Sequence, residues 1–85
     1  MGMNDLEITI RSLRQGVDGD VCSRSRVMDA LLDLRLEAGS RYDVVSLVDS
    51  ALADLPGKTM VPGDWWRERL DMLELAAVNP VEPVG

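Results

Sequence analysis

The residues with the most chemical potential in this chain lie between positions 18 and 26: Asp18-Gly19-Asp20, then Cys22, then Ser23-Arg24-Ser25-Arg26. Aspartates around a glycine can open a calcium loop, because a hard cation collects several carboxylate and carbonyl oxygens. Here Val21, Cys22 and Ser23 follow, with no further carboxylates at loop spacing and no closing Glu, so a turn is the better reading. Arginines and serines at a helix start could hold a phosphate or another anion against free amide groups. The simpler reading has the serines capping the helix and the arginines pairing with Asp20, Asp29 and Asp33. Cys22 reads as a half-buried loop residue rather than a reactive thiol.

Absence is more decisive. The chain has no His and a single Cys. It cannot assemble a usual structural zinc site, a Ser-His-Asp system or a Cys-His pair. A mechanism using carboxylates alone needs two acids in a cleft with separated pKa values, whereas the acids in helical segments fall on or near polar stripes. Phosphate-cradling glycine patterns are missing. The expectation is a non-enzyme with no cofactor, no metal and no catalytic residue.

Charge narrows the partners. Nine basic residues against fifteen acidic ones give a net charge of −6, and residues 43–85 hold eight of the acids against three basic groups. Nucleic-acid binding relies on Lys and Arg displacing counterions, so this balance argues against it and makes a basic protein the easier partner. One Cys permits no internal disulfide, and no apolar run approaches a membrane span, so a cytoplasmic, membrane-free setting is expected.

The pattern predicts an all-α bundle of about four short helices, at approximately 5–15, 24–38, 41–55 and 65–78. They form one domain over 1–80, followed by a flexible tail at 81–85. Asn4 with Glu7 makes a capping pair for the first helix, and Leu6, Ile10 and Leu13 recur at helical spacing. Residues 6–11 could instead form a strand, because Leu6, Ile8 and Ile10 alternate with Glu7 and Thr9. Gly16 and Gly39 end the first two helices and Pro56-Gly57 the third, while Ser23 or Ser25, Ser40 and Asp64 start the later ones. The segment 17–22 reads as a loop and 58–63 as a linker.

Two helices carry more apolar surface than one core face uses. In the second, Val27, Leu31, Leu34 and Ala38 form one strip and Met28, Leu32 and Leu36 another beside it. In the fourth, Trp66, Leu70, Leu73 and Ala77 form a core strip, while Trp65, Met72 and Ala76 lie about 100° away with Arg69 between. Trp65 is then either a surface ring under Arg69 or an interface anchor. The interface candidates are therefore Trp65, Arg69, Met72, Ala76, Met28, Leu32 and Leu36.

Three functions follow as expectations. The first is a protein-interaction module, a small regulatory or accessory protein that forms a homo-oligomer or binds a protein partner through these surplus faces. The second is an acidic inhibitor of a basic, nucleic-acid-binding protein. In size and charge alone the chain is similar to small acidic four-helix immunity proteins, with no motif to carry the likeness further. The third, weaker for the acidity and the long gap after Arg11, is a ribbon-helix-helix DNA-binding regulator using residues 6–11 as its strand.

Overall fold

The computed structural model describes residues 5–17 and 19–78. Asn4 of the first capping pair, Asp18 and the 81–85 tail lie outside the described residues. The elements are α1 (Asp5–Gln15), β1 (Val21–Ser23), α2 (Arg24–Ala38), α3 (Tyr42–Asp54), β2 (Met60–Pro62) and α4 (Gly63–Val78). Residues 6–11 are helical, which removes the strand alternative there. Leu6 and Ile10 are buried and Ile8, which a strand would place beside them, is exposed.

Each helix runs antiparallel to both of its neighbours. Thr9 of α1 reaches Glu37 near the end of α2, and Arg35 of α2 reaches Asp49 of α3. Arg69 near the start of α4 meets Asp54 at the end of α3, while Arg11 and Arg14 of α1 meet Glu74 and Asp71 of α4. The result is an up-down-up-down four-helix bundle. Its interior is aliphatic apart from Trp66, with Ile10, Leu31, Leu34, Val44, Val48, Leu70 and Leu73 almost wholly removed from water.

That topology puts the α1–α2 and α3–α4 connections at the same end, where they pair. The two three-residue strands form an antiparallel ribbon in the register Val21↔Pro62, Cys22↔Val61, Ser23↔Met60. It is flanked by hydrogen bonds from the Arg24 amide to the Thr59 carbonyl (2.9 Å) and from the Gly63 amide to the Asp20 carbonyl (2.7 Å). Antiparallel alternation then places Pro62 in a non-hydrogen-bonded pair, where its missing N–H costs no ladder bond. Val61 turns inward to close the core. The segments expected to be loop and linker thus each contribute a strand.

Three helix starts differ in detail from the expectation. Ser23 precedes α2 in extended conformation, but its hydroxyl pairs with that of Ser25 (3.0 Å) and caps no amide. Arg41, not Ser40, holds the capping position of α3, again with no side-chain cap. α4 begins at Gly63, one residue before Asp64, because the Gly63 amide is held by the neighbouring connection. A Cβ there would lie 2.5 Å from the Gly19 carbonyl oxygen, so only glycine allows this approach. The stops match expectation: Gly39 ends α2 at φ 58°, and Leu55, preceding Pro56, leaves α3 in extended conformation (ψ 122°).

Candidate functional site

The adjacent tryptophans separate as their 100° offset requires. Trp66 enters the core. Trp65 is half-buried against the edge of the core, with the Arg69 guanidinium 5.2 Å from its ring centroid. Arg69 also approaches Asp54 (3.8 Å) and directs a nitrogen toward the Met72 sulfur (3.8 Å), while its Nε is buried without a hydrogen-bond partner among the described residues. A planar cation lying on a ring face gains electrostatic attraction that partly offsets that loss. Ala76 packs against the core and its carbonyl accepts a bond from Arg41. The Trp65–Met72–Ala76 strip therefore runs along the seam with α3, where Met72 alone is exposed.

The second strip of α2 is placed differently. Met28 is partly covered by the core, whereas Leu32 is 44% exposed and Leu36 81%. These two leucines are one turn apart on the side of α2 that no other helix covers. Their flanks contrast: Arg35 pairs with Asp49 (2.8 Å), whereas Asp29 and Asp33 make no ion pair among the described residues. Leu75 on α4, 66% exposed, falls outside both strips read on that helix, with the exposed Met72 and Val78 three positions to either side.

Beside Asp29 and Asp33 lies a concavity of about 710 Å³ between the second half of α1 and the first half of α2, closed at one end by β1. Its origin is side-chain size. Ser12 on α1, Gly16 just past its end and Ala30 on α2 line it together, and these small groups leave the seam unfilled. Farther along the same seam the Thr9 hydroxyl donates to the Glu37 carboxylate (2.8 and 3.0 Å) and shuts it. Val27 and Trp66 reach the concavity from the core, and Asp29, Asp33 and Arg26 line its polar wall. The signal in the sequence was the small-residue line on the polar side of α1, which a search for apolar stripes passes over.

At the start of α2, Arg24 engages backbone, and neither it nor Arg26 pairs with the expected aspartates among the described residues. The Arg24 Nε donates to the Pro56 carbonyl (2.8 Å), tying α2 to the α3–α4 connection. Arg67 does the same for the Gly19 carbonyl (2.9 Å) while pairing with Asp64. Arg41 holds Asp43 and the Ala76 carbonyl (2.8 Å) together. That contact holds the Asp43 carboxyl below the usual carboxylate range, against a smaller opposing effect of burial, and raises the Arg41 guanidinium in turn. Among the described residues no three potential metal ligands converge, and no helix is long and apolar enough to cross a membrane.

Comparison with protein-family models, with curated proteins and with solved structures gives no match for this chain.

Proposed function

We propose that this chain is a non-enzymatic protein-interaction module, a small regulatory or accessory protein that self-associates or binds a protein partner through the outer face of α2. The observation that carries the reading is the exposure of Leu36 and Leu32 on a helix whose opposite face is buried throughout. Covering one such leucine gains roughly 1.5–3 kcal/mol, and two adjacent ones give an association centre. The half-buried free thiol of Cys22 suits a reducing, cytoplasmic setting.

Sedimentation of the wild type and Leu36→Lys at increasing concentration, with recovery of partners from the source cells, tests it. Weaker self-association or lost partner recovery in the variant is the expected result. A wild type that is monomeric throughout, with partner recovery unchanged by the substitution, overturns it.

A second reading, an acidic antagonist of a basic protein, draws on Asp29 and Asp33, which have no ion pair among the described residues, and on the net charge of −6. It predicts binding that weakens steeply with salt, whereas leucine-centred association changes little.

A further inference from the structure

We infer that the concavity between α1 and α2 receives an apolar side chain from an amphipathic helix of a different protein, whose basic residues meet Asp29 and Asp33. This rests on the reading of the chain as an interaction module and assigns the chemistry of the partner. The cavity is open to solvent along one side, and Val27 and Trp66, both buried in the core, contribute to its lining. An aliphatic or aromatic group inserted beside Ala30 gains apolar contact there.

Charge identifies the occupant. Most acids facing a seam are neutralised within the chain: Glu7 and Glu74 by Arg11, Asp71 by Arg14, Asp49 by Arg35 and Asp54 by Arg69. Asp29 and Asp33, one turn apart on the cavity wall, have no ion pair among the described residues. Two carboxylates at that spacing match two Lys or Arg one turn apart on an apposed helix. A second copy of this chain supplies no such helix, because Arg11 and Arg14, its basic residues about one turn apart on a helix, are already paired with Glu74 and Asp71. Arg26 lines the same wall nearer the ribbon and sets the direction: the C-terminal, electronegative end of the docked helix lies beside it.

The test uses the full chain, isotope-labelled, and a synthetic amphipathic helix of about five turns with leucines along one stripe and lysines flanking it. An otherwise identical peptide carrying glutamates is the control. The lysine peptide is expected to shift the amide signals of Ser12, Gly16, Val21, Ser23 and Ala30 and to change the emission of Trp66, while the glutamate peptide does neither. Replacing both acids (Asp29→Asn with Asp33→Asn) should weaken binding by about tenfold or more. Ser12→Leu, which fills the cavity and leaves every charge in place, should abolish it. Equal binding of both peptides, no binding, or signals that move around Leu32 and Leu36 instead overturns the proposal. Failure here with self-association through Leu36 intact removes the groove and leaves the module. Peptide binding at the groove by a chain indifferent to Leu36→Lys removes the leucine face and leaves the groove.

Discussion

The Arg41 guanidinium donates to the carbonyl oxygen of Ala76 across the gap between the start of α3 and the end of α4. α4 ends at Val78, so the Ala76 carbonyl has no amide four residues on within the helix, and a cation is the favoured partner at that electronegative end. The same side chain is held in place by both oxygens of Asp43. One residue thus satisfies a helix terminus and fixes the α2–α3 corner against α4. Arg41→Ala is expected to lower stability by about 1–3 kcal/mol, and Arg41→Lys to recover only part, since a point charge cannot fork to both partners. Urea unfolding measures both.

The Asp43 carboxyl titrates lower in the folded chain than in the unfolded one, chiefly through its hydrogen bond from Arg41, with backbone amides adding to it. A group with a depressed folded pKa contributes its full stabilisation above the unfolded value and loses it as pH falls through the folded value. Wild type and Asp43→Asn should therefore differ in melting temperature by a constant amount above about pH 5, and the difference should shrink as the pH is lowered below the ordinary Asp range. A gap independent of pH would show that the carboxylate charge has no part in the contact.

The helices were legible in the sequence because each carries its own punctuation. Gly39, Pro56 and the Leu6–Ile10–Leu13 spacing mark boundaries that need no tertiary context. The ribbon was not legible: Val21-Cys22-Ser23 and Met60-Val61-Pro62 are too short for a periodic signal, and they pair only because the topology returns both connections to one end. The Met28–Leu32–Leu36 strip was read as surplus, and its last two members are exposed. The Trp65–Met72–Ala76 strip looked equivalent, but periodicity fixes the angle between two strips and not which neighbour covers each. Here α3 covers most of the second. The cavity stayed hidden for a related reason, since a space left by Ser12, Gly16 and Ala30 exists only once two helices are apposed.

The two tryptophans should part on truncation. Trp66, 5% exposed and in contact with the core, is expected to cost about 3–5 kcal/mol as Trp66→Ala. Trp65→Ala removes a half-buried ring and the cation-π contact of Arg69, for a smaller loss of about 1–3 kcal/mol. If Trp65→Ala leaves thermal stability unchanged, the seam with α3 does not depend on that ring.

Gly63 is predicted to resist even alanine. Its amide is bonded to Asp20, and an added methyl group meets the backbone of Gly19 and Asp20, which cannot rotate away as a side chain could. Gly63→Ala should open the ribbon end and destabilise by about 1–3 kcal/mol, despite the usual gain from removing a helical glycine. Hydrogen exchange at the Gly63 and Arg24 amides distinguishes this local opening from a global loss, because the ribbon amides should exchange faster while those of α2 and α3 keep their protection.

Leu34 and Leu36 are two positions apart on α2 and face opposite ways, so the same truncation should have opposite consequences. Leu34 is fully buried, and Leu34→Ala leaves a cavity among aliphatic neighbours at a cost of about 2–5 kcal/mol. Leu36 has little to lose on folding, and Leu36→Ala should change the stability of the isolated chain by no more than about 0.5 kcal/mol. The two measurements belong together, at a concentration low enough to keep the chain unassociated. A large loss for Leu36→Ala under those conditions would place its side chain in the fold itself and remove the outer face of α2 as a docking surface. A negligible loss, with association weakened at higher concentration, identifies a leucine whose burial partner is another molecule.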